Sequence, residues 1–395
     1  MRRISKTKLK GTLVIGAVVL LCEMAFAAGY DIAAYVWPAY QPKPRWAELG
    51  IFGNGKGEWQ SVYEAIPKWE GHEQPRKPLW GYGNEANPEV VEKKIEAAIT
   101  HGVNVFIYDW YWYCGRPFLE DALNQGFLGA PNNHKMKFFI MWANHDVDQG
   151  WDNKISNKSK DGYKWLGTVT PEVYRELVAR WIKLYFTRPN YYRIDGKVVF
   201  MVYDILNFVK TFGTVEKAAK GIEYLREECR KAGLGGVHFM VCDYQVNPEW
   251  IKALGIDSAT IYNYVHWSSP KGNPDYSDWA RKASERFDEA LKIAGYPIYF
   301  AHVSVGWDQN PRYPEFEPVP TVLNSTPAKF EQALYRAKEW CDRNTPEGCP
   351  RLITVNSWNE WTEGSYLEPD EKWGYGYLEA IEKVFSENHK KEELK

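Results

Sequence analysis

The chain has 395 residues, 25% charged, 45% hydrophobic and 16% aromatic, with 49 basic and 51 acidic side chains for a formal charge of −2. That balance excludes a disordered chain, a collagen-like repeat and a multispanning membrane protein. There is no basic excess or stripe to suit a nucleic acid. The length accommodates one large domain, and a barrel of alternating strands and helices runs this long as a single unit.

The N-terminus has the pattern of a secretory signal. Arg2, Arg3, Lys6, Lys8 and Lys10 precede an apolar run, Thr12 to Leu21, too short to span a bilayer comfortably. Ala25-Phe26-Ala27 then offers the small residues of a cleavage site. The expectation is a signal peptide over 1–27, a folded domain over 28–387 and a frayed charged tail over 388–395. A membrane anchor is the alternative; lipid attachment at Cys22 is disfavoured by the bulky Leu21 before it. The mature chain carries 44 basic and 50 acidic residues, a charge suited to a neutral partner rather than a phosphate. Of its five cysteines, Cys341 and Cys349 flank a turn-like stretch and have the spacing for a disulfide in an oxidising compartment. No cysteine spacing reads as a zinc site.

Short β-rich runs alternate with helical patterns along the mature chain. The strands are expected at Ile32–Val36, Val103–Tyr108, Lys137–Met141, Val198–Val202, Val237–Val241, Ser258–Ile261, Ile298–His302 and Leu352–Asn356. The helices are expected at Pro88–His101, Pro171–Phe186, Val215–Ala232, Trp279–Ala294, Pro327–Asp342 and Tyr375–Ser386, with weaker signals at Phe118–Gly126 and Glu249–Leu254. Asn87-Pro88 and Thr170-Pro171 place a capping side chain before a proline at the first helical position. His101-Gly102 and Ala232-Gly233 supply glycine at helix ends. Eight strands alternating with helices predict an α/β protein, a (β/α)8 barrel of one domain with its active site at the C-terminal strand ends. The fifty residues from Pro38 to Asn87 form a long loop after strand one, over that same face.

The residues just beyond each strand agree with a site there. Tyr40 lies just after strand one, and Asp109, Trp110 and Trp112 end strand two. Trp142, Asn144, His145 and Asp146 come after strand three, Tyr203 after strand four and Asp243 after strand five. Tyr264 and His266 come after strand six, Trp307 after strand seven, and Trp358, Asn359 and Trp361 after strand eight. Strand starts carry no such residues. Aromatic faces with carboxylates and amides around them suit the C–H faces and hydroxyls of a sugar, although a barrel mouth plugged by aromatic packing has the same composition. His302, ending strand seven, reads as a satisfied core histidine. His145 and Asp148 have no evident third metal ligand, and no metal or cofactor is demanded.

Glu360 and Glu363 are three apart within a tryptophan frame after strand eight. Two close carboxylates push their pKa values apart, as a catalytic acid and base require, and cleavage of a glycosidic bond needs such a pair.

The stretch Asn356-Ser357-Trp358-Asn359-Glu360-Trp361-Thr362-Glu363-Gly364, then Leu367-Glu368-Pro369-Asp370, resembles the signature of the WbsX family, which belongs with the glycoside hydrolase family 99-like proteins. Trp142-Ala143-Asn144, Arg193-Ile194-Asp195-Gly196-Lys197 leading to Tyr203, and Trp307-Asp308 with Pro311-Arg312 agree in kind and order. The resemblance implies a (β/α)8 barrel and a retaining, α-mannosidase-like hydrolysis of an α-linked glycan. It implies Glu360 as the base that deprotonates the substrate's 2-hydroxyl to form a 1,2-anhydro sugar, or else as a direct nucleophile. It implies Glu363 as the acid that protonates the leaving group and then activates water. This chain departs from its relatives at His145-Asp146-Val147, where Glu-Asn-Trp is common. The family name also denotes presumed glycosyltransferases; the signal pattern favours a secreted or periplasmic hydrolase of an oligo- or polysaccharide. A carbohydrate-binding protein without catalysis is the remaining alternative.

Overall fold

The computed structural model describes residues 29–386 except 50, 53, 54, 56, 148–164 and 314–316. The expected signal peptide and the expected tail lie outside the described residues. Among the described residues no helix is long and apolar enough to cross a membrane.

The eight parallel strands are β1 (Tyr30–Val36), β2 (Val105–Tyr113), β3 (Lys137–Trp142), β4 (Lys197–Val202), β5 (Val237–Cys242), β6 (Ser258–Thr260), β7 (Ala301–Ser304) and β8 (Arg351–Asn356). They pair in the order β6-β5-β4-β3-β2-β1-β8-β7. The ring closes between β6 and the approach to β7, where the Ala259 amide donates to the Ile298 carbonyl (3.1 Å) and the Phe300 amide donates to the Ala259 carbonyl (2.9 Å). The result is a nearly closed (β/α)8 barrel of one domain. Its strands are apolar runs buried on both faces, such as Val-His-Phe-Met-Val-Cys of β5, because one face fills the barrel and the other meets the helices.

The main crossover helices are α1 (Pro88–Thr100), α2 (Pro171–Trp181), α3 (Ile205–Phe212), α4 (Val215–Lys231), α5 (Pro248–Leu254), α6 (Tyr276–Glu289), α7 (Pro327–Asn344) and α8 (Gly376–Phe385). The Asn87 side chain accepts from the Glu89 amide and Thr170 from the Val173 amide, each ahead of a proline at the first turn. The chain leaves α1 through Gly102 at φ +90°, a conformation that costs other residues strain.

Several elements differ from expectation. β2 runs on to Tyr113 and folds back as a hairpin with Arg116–Phe118. Its aromatic residues favour extended backbone, and Cys114 and Gly115 both adopt positive φ (54° and 72°), as a tight hairpin turn demands. Phe118 therefore belongs to a strand, and the helical turn after it covers only Ala122–Phe127. β7 begins three residues later than the apolar run that starts at Ile298. The long first loop contains two short helices, Trp46–Leu49 and Trp59–Glu64. Cys341 and Cys349 are both free: Cys341 is buried in α7 with its Sγ 3.2 Å from the Thr345 hydroxyl. His302 is bonded at both ring nitrogens, to Thr354 and Ser304 (2.9 Å each), and burial drives its pKa well down, so it sits neutral in the barrel.

Candidate active site

Beyond β8 the chain turns sharply through Ser357–Tyr366. The Ser357 hydroxyl donates to the Ser365 carbonyl (2.7 Å) and accepts from the amides of Glu360 (2.7 Å) and Asn359 (3.2 Å). Gly306, after β7, packs on this turn; a Cβ there would lie 2.6 Å from the Gly364 carbonyl oxygen. The turn delivers Glu360 and Glu363, both buried, to one wall of a cleft of about 910 Å³. That volume suits a ligand of several rings.

A single buried guanidinium organises this wall. Arg312 lies 2.9 Å from Glu363 through Nη1, 3.2 Å from Glu58 through Nε and 3.5 Å from Glu360 through Nη2. Nη2 also donates to the Thr362 hydroxyl (2.9 Å). Three carboxylates thus face one cation. Burial pushes both Glu360 and Glu363 above the usual carboxylate range; Glu363 raises Glu360 further, and Arg312 pulls both back. Across the cleft, the one hydroxyl of Tyr262 lies 2.9 Å from Glu360 Oε1 and 3.0 Å from Asp109 Oδ2. Burial also lifts Asp109 well above its ordinary value, and its Oδ1 has no hydrogen-bond partner among the described residues. His266 meets the Tyr203 hydroxyl at 3.1 Å through Nε2, and burial lowers its pKa to about 4, leaving a neutral ring packed near Tyr244.

Of the eighteen residues expected at the site, eight line the cleft: Asp109, His145, Asp146, Tyr203, His266, Trp307, Glu360 and Glu363. Asp146 does so with Oδ1 committed to the Gly167 amide (2.8 Å) and Asn207 (3.0 Å). The other ten are placed elsewhere. Trp110 and Trp142 point outward from their strands against Trp181 of α2, and Trp112 stacks beside Trp110. Trp358 packs on Phe106, and Trp361 stacks on Tyr366 at 3.7 Å. Tyr40 accepts from the Trp361 amide, and Tyr264 donates to the His302 carbonyl. Asn144 clamps Asp204, its side-chain amide donating to the Asp204 carbonyl and its side-chain oxygen accepting from the Asp204 amide. Asp243 accepts from Tyr296 and Tyr299. Asn359 pins the end of β1, accepting from the Trp37 amide (2.8 Å) and donating to its carbonyl (2.7 Å) and to Glu85 (2.8 Å).

For the three tryptophans within strands the reason is the pleat. Successive strand side chains point to opposite faces, so Asp109 and Tyr111 face the cleft while Trp110 and Trp112 face helices. Tyr111 and Tyr262 are accessible through that parity. Trp37 follows β1 with the parity of the inward Tyr35, whereas Glu58, Gln309 and Arg312 come from loops and short turns, where no periodicity marks them. Trp37 donates its indole N–H to Glu58, and the Gln309 amide approaches Glu363 at 3.4 Å.

Behind the turn lies a second charged group. Lys94 of α1 sits 2.5 Å from both Glu85 and Glu368. Glu85 holds Asn359, and Glu368 accepts from the Trp361 indole (2.7 Å). Burial raises Glu85 to about 7 against the pull of Lys94. Among the described residues no three His, Cys, Asp or Glu side chains converge as a metal site.

Comparison with known proteins agrees with this architecture. A family described as "Glycosyltransferase WbsX" matches residues 32–381. The uncharacterized protein WxcX of Xanthomonas campestris pv. campestris, in strains B100 and ATCC 33913, is 27% identical over 375 residues, 90% of this chain. The chain spans 49% of the length of those relatives. Among solved structures, a "Glycoside hydrolase-like protein" superposes with a TM-score of 0.59 at 16% identity, covering 91% of this chain and 94% of the other. A GH99 endo-alpha-mannosidase from Bacteroides thetaiotaomicron superposes at 0.55 and 14% identity, covering 92% and 99%. At those identities the likeness is one of fold.

Proposed function

Since the chain belongs to the family described as glycosyltransferase WbsX and has the fold of glycoside hydrolases, we propose that it is a retaining glycoside hydrolase of an α-linked glycan, α-mannosidase-like and acting outside the cytoplasm. The observation that carries this reading is the pair of buried carboxylates on one turn, gathered by Arg312 at the wall of a large cleft.

In the proposed reaction Glu363, kept protonated by burial, gives its proton to the glycosidic oxygen as the C1–O bond breaks. Glu360 takes the proton of the 2-hydroxyl, whose oxygen closes on C1 to form a 1,2-anhydro sugar. Glu363, now ionised beside Arg312, draws a proton from water. The water oxygen opens the three-membered ring at C1, and Glu360 returns its proton to the 2-oxygen. Two inversions give net retention, and both carboxyls end as they began. Arg312 stabilises whichever carboxylate is ionised at each stage. Tyr203, with the neutral His266, supplies hydroxyl and ring partners for the sugar.

The test is a screen of residues 28–395 against α-linked oligo- and polysaccharides, with Glu360→Gln and Glu363→Gln alongside. Product from the wild type, first released as the α-anomer, with kcat lowered at least about 100-fold in each folded variant is the expected result. Wild-type turnover in Glu363→Gln overturns it, and binding without product from any of the three indicates a carbohydrate-binding protein. The family's description supports a second reading, transfer from a nucleotide sugar. Among the described residues the cleft is poor in cations for a diphosphate: Asp109, Asp146, Asp204, Glu360 and Glu363 face only Lys210 and the already engaged Arg312.

A further inference from the structure

The hydrogen bonds around Tyr262 pose a problem of proton count. Its hydroxyl has one hydrogen, yet it sits between Glu360 Oε1 at 2.9 Å and Asp109 Oδ2 at 3.0 Å. If both carboxyls were ionised, one of these contacts would be a bare approach of oxygen lone pairs. A second proton must lie on Asp109 or on Glu360. In the first arrangement Asp109 donates to the Tyr262 oxygen and Tyr262 donates to an ionised Glu360. In the second, Glu360 donates to Tyr262 and Tyr262 to an ionised Asp109.

The surroundings choose between them. Glu360 has a cation in reach, Arg312 Nη2, against its other oxygen. Among the described residues Asp109 has no cation in contact, and its Oδ1 is buried without a hydrogen-bond partner. An ionised carboxylate with an unpaired buried oxygen is costly, whereas the carbonyl oxygen of a neutral acid in that place costs far less. The charge that bears on Asp109 is that of Glu363, which is negative when ionised. The other titratable groups around it, Tyr35 of β1, Tyr111 of its own strand, Tyr203 beyond β4, Cys242 of β5 and Tyr262, are neutral, and Glu360 beyond β8 adds no positive charge.

We infer that Asp109 is a protonated positioning residue which, through Tyr262, holds Glu360 in the ionised form that the 2-hydroxyl base requires. This rests on the hydrolase reading for its consequence in turnover, though not for the proton's location. The relay also answers a difficulty of that reading. The guanidinium is nearer Glu363 than Glu360, 2.9 against 3.5 Å, so Arg312 alone would leave the proton of the pair on Glu360. Donation from Tyr262 shifts the balance toward ionised Glu360. Asp109 is thereby a buried neutral acid that donates; burial raises Asp109 and Glu360 alike, and it is the cation beside Glu360 and the unpartnered Oδ1 of Asp109 that separate them.

Two experiments decide this. The first needs no substrate: infrared difference spectra of protein labelled at the aspartate carboxyl carbon, wild type minus Asp109→Asn, at neutral pH. Loss of a protonated-carboxyl band is expected; loss of a carboxylate band overturns the proposal. The second is kinetic. Asp109→Leu and Tyr262→Phe should each lower kcat about 100-fold with less than about threefold change in KM. Asp109→Asn, whose amide can still donate to Tyr262, should recover at least about tenfold over Asp109→Leu. In the wild type kcat should fall with rising pH as Asp109 and the general acid Glu363 lose their protons, and Asp109→Asn should keep only the Glu363 limb. An Asn variant as slow as the Leu variant overturns the proposal. If the wild type cleaves no glycan, the hydrolase reading fails while the infrared result still locates the proton.

Discussion

Replacing Arg312 by methionine removes the one guanidinium that faces Glu58, Glu360 and Glu363 while keeping much of its length. Removing one partner of a buried ion pair costs about 3–5 kcal/mol, because a charge is left in a poor solvent. In a chain of this size 1 kcal/mol moves the melting temperature by roughly 2 °C, so a drop of about 6–10 °C is expected at pH 8. The drop should shrink in acid. Glu360 and Glu363 already titrate above the unfolded value of 4.5 through burial, and without Arg312 they titrate higher still. Between the unfolded and folded pKa values the native state then binds more protons than the unfolded one. Stability is fully present below the unfolded value and falls as pH rises. Thermal melts of wild type and Arg312→Met at pH 5 and pH 8, at one scan rate, read this directly. A loss under about 2 °C at pH 8, or the same loss at both pH values, refutes the idea that one cation holds this carboxylate cluster.

Glu85, raised to about 7 by burial, contributes stability that is complete below 4.5 and lost as pH climbs through 7; Glu85→Gln should flatten that decline in pH-dependent melts, and an unchanged slope counts against the assignment. Gly306→Ala should destabilise by about 1–3 kcal/mol, since the new methyl meets the Gly364 carbonyl 2.6 Å away and backbone cannot yield cheaply; denaturant titration checks it, and no change would mean the turn is loosely held. Trp142→Ala should cost about 3–5 kcal/mol yet leave glycan affinity within about twofold, because its ring packs on Trp181 and Phe208 outside the barrel; a large loss of affinity by calorimetry in the folded variant would restore it to the cleft.

The barrel is legible because each strand is an apolar run and most of the helices between carry caps, prolines and glycines in their expected places. The concentration of aromatics and acids beyond the strands marks which end of the barrel holds the cleft. It does not mark which of them look inward. Trp110 and Asp109 are neighbours in sequence, and the pleat sends one to α2 and the other to the cleft. Proximity to a strand end treats the two alike, whereas parity separates them; parity also picks out Tyr111 and, by continuation of β6, Tyr262. Glu58 is beyond such reasoning, and Arg312 is reached only through the resemblance carried by Trp307-Asp308 and Pro311-Arg312. Each lies outside the regular strand and helix pattern, and they meet because the first loop and the loop after β7 both fold over the barrel mouth. Asn359 shows the opposite error. A polar residue beside Glu360 reads as a ligand for sugar, but its amide has the two-sided geometry needed to hold the backbone of Trp37.

The clasp between Trp37 and Asn359 joins residues 322 positions apart, and that between Glu58 and Thr362 joins residues 304 apart. β1 itself finds its partner in β8, the last strand of the ring. Contacts of such long sequence separation form slowly, since most of the chain must be ordered before they are rewarded. On a ribosome the cleft wall that carries Glu360 and Glu363 would remain unassembled until the final strand emerged. That wall is complete only when the two ends of the barrel have met, so on the hydrolase reading a nascent or clipped chain would have no half-active form.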